Sequence, residues 1–555
     1  MRKRRTALLL PLLLGAVAAV NAVNAVNAVN AVDAVDAVNA ESTAADGANG
    51  TSFIFSNVYG DGMVLQSAPK RAIVWGLCTS GDSVTVAFGS VLLNATVALY
   101  GGNWTWSVFL PPTAASFAGH NVTATSAQAG RSITLANVLF GDVWICSGQS
   151  NMVLGMKQIN NSGAELAAQA AYPYIREFIL SGGSDAPQIL AATIVAPWRS
   201  PNGSELDSHL SAMCWLYARD MYVALDPPRP LGTIVAAQLG TPDEPFSSPD
   251  ALAKCEDPTQ PYPKGSSDLW NGMVVPLLNT TIYGVVWYQG EGNVKNPGGR
   301  YGGYNCTFPA MVADWRAKWS VGTAGATDPQ FPFGFVQLNG YGGGTRGGPF
   351  VPKYNNPVDT DYSNVYSTRW GFAAIRWAQT AGYGYVPNPV MPKTFMAVIL
   401  DTANPSGGVH SPFKQPAAAR LARAALKCAY GVNTGTLAPR VGSVKRSGND
   451  TVVVTLTDLG TAVEVHNTTG FEAMVVSPQN ASQAMWVSTP VVGFDNTSVA
   501  LGSFPAGATR LRYLWYQDAC GLEAYGCAVY TTVPAIGNLS GELTFLPLAP
   551  FIMDL

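Results

Sequence analysis

Apolar residues in the middle of the chain form five short runs that are well separated from one another. The runs cover residues 142–146, 233–237, 283–288, 333–338 and 395–400. A short apolar run bounded by turn-forming residues is typical of a strand that is buried on both faces, as in a parallel sheet. Helix-like segments lie between and after the runs. This alternation predicts an α/β fold with a doubly wound parallel sheet.

The clearest helix signal follows the last of these runs and covers residues 416–430. Pro416 suits the first turn of a helix, and an Ala-rich body carrying Arg420 and Arg423 comes after it. Gly431 then stands where a helix terminator is expected. The pattern therefore predicts a helix with a defined start and end.

The two flanks of the chain have a different pattern, in which short β-branched or aromatic runs alternate with Gly, Asn and Pro. These runs lie at 72–75, 83–88 and 132–135 near the N-terminus, and at 451–456, 462–465 and 510–516 near the C-terminus. Such spacing predicts flanking antiparallel β domains.

The length of 555 residues exceeds what a single hydrophobic core organises. We therefore expect an N-terminal β-sandwich-like domain at 51–135, an α/β domain at 136–432 and a C-terminal β-rich domain at 433–555.

The first fifty residues resemble processing and low-complexity segments rather than a folded unit. Four basic residues follow Met1, and an apolar stretch ends in small residues near position 20. This pattern predicts a signal peptide at 1–20 that is too short to span a bilayer comfortably, so we expect no membrane association after cleavage. Residues 21–50 are mostly a repeat of Asn-Ala-Val with a linker, and we expect no fold there.

Composition and sequons point to a glycoprotein in the secretory pathway. Charged residues make up only 12% and the formal net charge is -3, which gives no reason to expect nucleic acid as a partner. Thirteen Asn-x-Ser/Thr sequons predict N-linked glycans: Asn49, Asn94, Asn103, Asn121, Asn160, Asn202, Asn279, Asn305, Asn449, Asn467, Asn480, Asn496 and Asn538.

The cysteines and histidines narrow the possible chemistry. Eight cysteines suit an oxidising compartment. Cys520 and Cys527 are close enough for a local disulfide, whereas the sequence alone does not pair the other six. The chain has only four histidines, and none has the spacing of a metal ligand set, so we expect neither a metal nor another cofactor. They are His120, His209, His410 and His466.

Residues suited to acyl transfer follow the ends of the predicted strands, where open α/β sheets place their sites. Ser147 to Met152 follow the first run, Gly240 the second, Gln289 to Asn293 the third, and Asp401 and His410 the last. A serine needs an imidazole to take its proton, and the resulting oxyanion needs hydrogen-bond donors. Candidate donors are the N–H groups of Ser150 and Gly240 and an amide from Gln289 or Asn293.

Two other nucleophile arrangements are disfavoured. The chain lacks the G-x-S-x-G elbow of α/β-hydrolases around these residues. Cys146 lies within a predicted buried strand and is therefore a poor candidate.

Three motifs closely resemble the sialate O-acetylesterase family of the SGNH hydrolase superfamily. They are GDVWICSGQSNM at 141–152, VVWYQGE at 285–291 and YVPNP at 385–389. The resemblance extends from about Phe53 to the end of the chain. It implies an SGNH-type catalytic core between β domains, Ser150 as nucleophile and His410 as base, with Lys414 following the histidine as in the family. It also implies a disulfide between Cys520 and Cys527, and hydrolysis of O-acetylated sialic acid through an acetyl-enzyme without a cofactor.

The chain departs from the family pattern in two places. Gly407 stands where many SGNH enzymes carry Asp three residues before the histidine. The third triad member is therefore open between Glu291, which we favour, and Asp401. Gln238 and Leu239 replace the Trp and Gly that usually precede the oxyanion glycine.

The sequence leaves two alternatives to an esterase that acts on acetylated sialic acid. The same chemistry suits another acetylated glycan, such as xylan, because specificity depends on loop shape. A catalytically silent glycan-binding protein is a third hypothesis, which the intact Ser150 and His410 oppose. We expect the protein in the secretory pathway, either secreted or lysosomal.

Overall fold

The computed structural model describes residues 53–204, 207–256, 266–294, 303–340, 371–477, 480–516, 519–521, 525–534 and 544–555. The predicted signal peptide and the repeat at 21–50 lie outside these residues, as do the sequons at Asn49 and Asn538. From Ile54 to Leu555 the chain forms one compact unit by its internal contacts.

The strands of the described residues follow one another along the whole of this unit. In chain order they are β1 (Ile54–Phe55), β2 (Val64–Gln66), β3 (Ile73–Leu77), β4 (Val84–Phe88), β5 (Val91–Asn94), β6 (Thr96–Tyr100), β7 (Asn103–Phe109), β8 (Ser116–Ser126), β9 (Arg131–Gly148), β10 (Ile175–Leu180), β11 (Ile194–Arg199), β12 (Leu231–Ala237), β13 (Gly284–Tyr288), β14 (Phe333–Gln337), β15 (Thr394–Val398), β16 (Arg440–Arg446), β17 (Val452–Thr457), β18 (Val463–Val465), β19 (Phe471–Ser477), β20 (Asn480–Ser488), β21 (Val491–Phe494), β22 (Ser498–Leu501), β23 (Arg510–Tyr513), β24 (Val529–Val533), β25 (Thr544–Pro547) and β26 (Phe551–Asp554).

The α-helices lie mainly between the strands of the central region. They are α1 (Ser150–Val153), α2 (Ser162–Ala168), α3 (Ala212–Ala224), α4 (Pro249–Ala253), α5 (Glu291–Val294), α6 (Tyr304–Gly322), α7 (Gly371–Ala378) and α8 (Lys414–Tyr430). Short 3-10 turns cover Met156–Gln158, Gln169–Ala171, Asp207–His209, Glu244–Phe246 and Val275–Leu277, and Trp270–Val274 is a π-helical turn.

A parallel sheet forms the centre of the fold, and all five predicted strands belong to it. Its order is β10-β12-β9-β13-β14-β15, with every neighbouring pair parallel. The side chains of β12, β13 and β14 are buried along their whole length, as expected for a sheet covered on both faces. The predicted α/β class is therefore confirmed.

The sequence analysis missed two strands at one edge of this sheet. β10 pairs in parallel with β12, and β11 pairs antiparallel with β10. Their apolar residues are interrupted by charged or proline residues, as at Arg176 and Glu177 in β10. Glu177 is nevertheless buried. A search for uninterrupted apolar runs therefore missed this strand, although it belongs to the core.

The long strand β9 connects the N-terminal strands to the central sheet. Its first part pairs with β8 and β2, and its last part pairs with β12 and β13. A second, antiparallel sheet has the order β1-β3-β7-β6. The expected boundary between residues 135 and 136 falls inside β9, and the three-domain division stays a prediction.

Helix α8 confirms the predicted helix and extends it by two residues at its start. Gly431 follows it with a φ of 68°, the left-handed conformation that glycine adopts easily at a helix end. The residues of α8 that face the core include Ala418, Leu421 and Ala425, which are fully buried. The helix thereby fixes the position of its own N-terminus at the edge of the sheet.

The C-terminal region consists of antiparallel sheets, as predicted. Their orders are β16-β17-β22-β21, β18-β24-β25 and β20-β19-β23-β26. The hydrophobic core of this region also includes Val398 and Leu400, from the end of β15 and the residues after it. The C-terminal strands therefore pack directly against the segment that leads from the central sheet toward His410.

Three disulfides connect the described residues. Cys146 of β9 is bonded to Cys214 of α3, Cys255 to Cys306, and Cys520 to Cys527 as expected. Cys146 is thereby unavailable as a nucleophile. Cys78 and Cys428 are free thiols.

Candidate active site

Ser150 begins α1 at the carboxyl end of β9. The turn before it is tight: Gly148 has a φ of 131°, and a Cβ atom at this position would lie 2.2 Å from the carbonyl oxygen of Tyr288. Only glycine fits there without movement. The N–H of Gln149 donates to that same carbonyl over 2.9 Å. Strand β13 therefore fixes the turn that presents Ser150.

His410 approaches Ser150 from the loop between β15 and α8. Its Nε2 lies 2.8 Å from Ser150 Oγ, within hydrogen-bond distance. Ser150 is 4% exposed, whereas His410 is exposed. The structure thus brings together the predicted nucleophile and base in a contact that suits proton transfer.

Asn151, directly after Ser150, contacts three parts of the site through one amide group. Its Nδ2 donates to Glu291 Oε1 over 2.5 Å and to the carbonyl oxygen of Val409 over 3.0 Å. Its Oδ1 accepts a hydrogen bond from Lys414 Nζ over 2.5 Å. Asn151 therefore holds the loop that carries His410 next to the helix that carries Ser150.

The two candidate acids have different surroundings. Glu291 is 1% exposed and lies beside Asn151 at the site. Asp401 is also fully buried, but its Oδ1 and Oδ2 accept hydrogen bonds from Arg420 over 2.6 and 2.8 Å, and Tyr530 donates to Oδ2 over 3.3 Å. Asp401 thus forms a bidentate ion pair with a core arginine.

Gln289 and Asn293 differ from the expectation that one of their amides faces the oxyanion. Both are buried. Gln289 Nε2 donates to Asn293 Oδ1 over 2.6 Å, and is 3.2 Å from the carbonyl oxygen of Thr241. Asn293 Nδ2 donates to Asp243 over 2.8 Å and to Glu244 over 3.0 Å. Their donors are used inside the protein, so we remove both residues from the oxyanion hole.

This buried amide network connects the segments that surround the site. Gln149 Oε1 accepts the N–H of Gly292 over 2.8 Å, which links the first motif to the residue that follows the second. Burial raises the pKa of Asp243 well above its usual value, and neighbouring Glu244 adds to the effect. The hydrogen bonds that Thr307 and Asn293 donate to this carboxyl group act in the opposite direction and lower its pKa.

Two backbone donors remain for an oxyanion. Ser150 is the first residue of α1, so its N–H has no acceptor within the helix. Gly240 lies after β12 with a φ of 69°, and a Cβ atom at this position would have no contact within 4 Å beyond its chain neighbours. The register of β12 against β9 places the loop that begins at Gln238 beside Gly148. Leu239, at the same loop, is 58% exposed.

The sequence analysis did not assign a function to Asn151 or Lys414. Lys414 is 1% exposed, and burial lowers its pKa to about 7, while the charge of Glu291 raises it. Asn151 lies in the first motif and Lys414 follows His410, but their contact joins positions 263 residues apart. No local pattern predicts such a pair.

Comparisons with known proteins show which proteins this chain is similar to. The family model described as the sialate O-acetylesterase C-terminal domain matches residues 442–555. Two curated proteins named sialate O-acetylesterase, from Pongo abelii and Homo sapiens, are each 34% identical to this chain over 534 residues. The matches cover 91% of this chain and 94% of each relative.

A solved structure has the same fold. A carbohydrate acetylesterase from Xanthomonas citri superimposes with a TM-score of 0.68 at 23% sequence identity. The match covers 90% of this chain and 99% of that one. The central parallel sheet and its flanking β-sheets therefore occur together in a second protein.

Proposed function

The chain belongs to the sialate O-acetylesterase family, and we propose that it is a serine esterase that removes acetyl groups from O-acetylated sialic acids. The observation that carries the proposal is the 2.8 Å contact between Ser150 Oγ and His410 Nε2 at the carboxyl edge of the parallel sheet. The names of the relatives support the substrate class, and the contact supports the reaction type.

The first half of the reaction forms an acetyl-enzyme. His410 Nε2 accepts the proton of the Ser150 hydroxyl while Oγ attacks the acetyl carbonyl carbon. The carbonyl oxygen becomes an oxyanion, which the N–H groups of Ser150 and Gly240 stabilise; each such donor contributes about 3–4 kcal/mol. The intermediate then expels the sugar oxygen, which takes the proton from the His410 imidazolium.

The second half returns the enzyme to its starting state. Water gives a proton to His410 Nε2 as its oxygen attacks the acetyl carbon on Ser150. The same backbone donors stabilise the second oxyanion. Collapse of this intermediate releases acetate, and Ser150 Oγ regains its proton from the imidazolium.

We assign the acidic role in this site to Glu291 rather than Asp401. A carboxylate beside a catalytic imidazole stabilises the charged form of the ring and holds its orientation. The charge of Asp401 is already balanced by Arg420 through two hydrogen bonds. Glu291 is bound to the same Asn151 amide that holds the carbonyl before His410. Glu291 is thus a positioning residue that acts on the pair through Asn151.

A second candidate function is the hydrolysis of another acetylated glycan, such as xylan. The observation that favours it is the loop around Gly240, where exposed Leu239 replaces the glycine of the family pattern. The catalytic steps would be identical, because only the sugar on the leaving oxygen differs.

We propose that the protein is exported through the secretory pathway and carries N-linked glycans. Three disulfides suit an oxidising compartment. Most sequon asparagines in the described residues are exposed, as at Asn103, Asn202 and Asn496. Within the described part of the chain, no helix has both the length and the apolar character that crossing a membrane requires.

The experiment that tests the function compares acetate release from O-acetylated sialic acid and from acetylated xylan. We expect the wild type to have the higher kcat/KM on the sialic acid. Ser150→Ala and His410→Ala should each lose at least about 10⁴-fold in kcat on either substrate, as triad deletions do in serine hydrolases. His120→Ala is the control, because His120 lies on β8 beside Phe88 and Phe140. Preference for xylan would establish the second candidate, and full activity of either alanine variant would refute the assigned pair.

A further inference from the structure

Lys414 is a buried cation beside the catalytic pair that the reaction steps above do not use. It is 1% exposed, and its Nζ lies 2.5 Å from Asn151 Oδ1 and 5.0 Å from the centroid of the Tyr288 ring. Removing an ammonium group from water costs several kcal/mol, and an apolar side chain of similar volume is often more stable in such a place. A lysine in this place therefore points to a role beyond packing.

The contact with Lys414 is one of three that together set which way the Asn151 amide points. In the observed orientation Nδ2 faces two acceptors, Glu291 Oε1 and the Val409 carbonyl, while Oδ1 faces the ammonium donor. A rotation of the amide by 180° would place its oxygen against both acceptors and its NH₂ group against the ammonium. All three contacts would then be repulsive, because an ammonium group only donates hydrogen bonds.

The same contact also balances charge at the site. Glu291 is 1% exposed, and an unpaired carboxylate at this depth would become protonated. Lys414 and Glu291 are bound to opposite ends of one amide. A charged Lys414 therefore favours the ionised form of Glu291.

We propose that Lys414 is a positioning residue of the esterase, which orients Asn151 and balances the charge of Glu291 so that His410 stays in contact with Ser150. The inference rests on the proposed function. Val409, whose carbonyl oxygen Asn151 binds, directly precedes His410. A loose Asn151 amide would thus release the loop on which the catalytic base stands.

The proposal predicts a specific dependence of kcat on pH. Burial lowers the pKa of Lys414 to about 7 and Glu291 raises it. Below this pH Lys414 carries its charge, and above it Glu291 loses its balancing charge, so kcat should fall on the alkaline side. The other titratable groups around Lys414 are Tyr288, whose pKa burial raises well above the usual range, His410, and the Glu165–Arg219 pair beyond Gln415.

The experiment measures kcat and KM on a small acetyl ester between pH 5 and 9. The variants are Lys414→Met, which removes charge and donor, and Lys414→Gln, which keeps a donor without a charge. Lys427→Met is the matched control, because Lys427 lies on the same helix, is exposed and contacts only the carbonyl of Gly435 among the hydrogen bonds described.

We expect kcat of Lys414→Met to fall about 10- to 100-fold, as for a misplacement of catalytic groups by about 1 Å, with KM within about twofold of the wild type. The kcat of Lys414→Gln should lie between those of Lys414→Met and the wild type. The fall in kcat at alkaline pH should disappear in both variants. Lys427→Met should match the wild type. A Lys414→Met enzyme with wild-type kcat and an unchanged pH profile would overturn the proposal.

A double-mutant cycle with Asn151→Ala keeps the test valid if Lys414→Met does not fold. If Lys414 acts through Asn151, adding Lys414→Gln to Asn151→Ala should change kcat by less than about twofold. Independent, multiplicative losses would contradict the proposal. Ser150→Ala in the same assay separates the two claims: activity in that variant refutes the proposed function, whereas its inactivity beside fully active Lys414 variants refutes only the role of Lys414.

Discussion

Ser150 Oγ and His410 Nε2 are separated by 2.8 Å in space and by 260 residues along the chain. The parallel sheet brings the two residues together, because Ser150 follows β9 and His410 follows β15 at the same carboxyl edge. A further contact, from Asn151 to the Val409 carbonyl, joins the segments that carry the two residues, and the bond from Gln149 to the Tyr288 carbonyl holds the turn before Ser150 on β13. The reactive geometry is therefore a property of the sheet and its loops together.

The two candidate acids should respond differently to amide substitution. Asp401→Asn breaks a buried, bidentate ion pair with Arg420, and the loss of one partner of such a pair costs about 3–5 kcal/mol of stability. Glu291→Gln should instead lower kcat, by about 10- to 100-fold, with a smaller effect on stability. Thermal unfolding and steady-state kinetics on both variants measure the two effects.

The Asp401 variant is informative only where it is folded, so its kinetics should be measured well below its Tm. A larger loss of kcat in folded Asp401→Asn than in Glu291→Gln would reverse the assignment. Equal losses would indicate that neither carboxylate acts specifically on His410.

The fold was predictable wherever its strands are apolar. The runs in β12, β13 and β14 are buried on both faces, so their sequences contain little besides apolar residues. β10 was missed because Arg176 and Glu177 interrupt it. The sequence analysis also missed that β9 pairs both with N-terminal strands and with strands of the central sheet. A single long strand that pairs with two groups of strands has no distinct local pattern.

The sequence predicted which residues gather at the site, because they follow the ends of the predicted strands. The order of strands and the residues after them brought Ser150, Gly240 and His410 to one edge, as the structure places them. The direction of side chains was not predictable in the same way. Gln289 and Asn293 follow β13 at the expected place, yet both amides turn into a buried network with Asp243. Which acceptors an amide finds depends on packing between distant segments.

The buried carboxyl group of Glu177 predicts a pH-dependent stability. Burial raises the pKa of Glu177 to about 8; Arg199 lowers it and Asp207 raises it further. The unfolded value is about 4.3, so between these values the unfolded state releases a proton that the folded state keeps. The stabilising contribution is complete below about pH 4.3 and is lost as pH rises toward 8.

Glu177→Gln removes this titration, so the difference in Tm between the variant and the wild type should become more favourable to the variant from pH 5 to pH 8. Scanning calorimetry of both proteins at the two pH values measures the difference. A Tm difference that is constant or changes in the opposite direction would show that Glu177 is ionised in the folded protein.

The loop before Gly240 should control the choice of sugar more than the rate of acyl transfer. Leu239 is 58% exposed, and a Trp at position 238 would offer a rigid surface for a sugar ring. Gln238→Trp with Leu239→Gly should raise kcat/KM for acetylated sialic acid about 2- to 10-fold, which corresponds to an aromatic packing contribution of about 0.5–1.5 kcal/mol. The kcat/KM for a small acetyl ester should change less. Equal gains on both substrates would indicate an effect on the oxyanion hole instead.

The identity of the nucleophile is the central claim, and covalent labelling tests it most directly. A serine-directed phosphonylating reagent should inactivate the enzyme with one adduct per chain, and peptide mass mapping should place the adduct on Ser150. Ser147 is the nearest alternative in the motif, but it is fully buried and its hydroxyl donates to the Ala236 carbonyl over 2.6 Å. Ser150→Ala should take up no label. An adduct on Ser147, or undiminished labelling of the Ser150→Ala variant, would contradict the account.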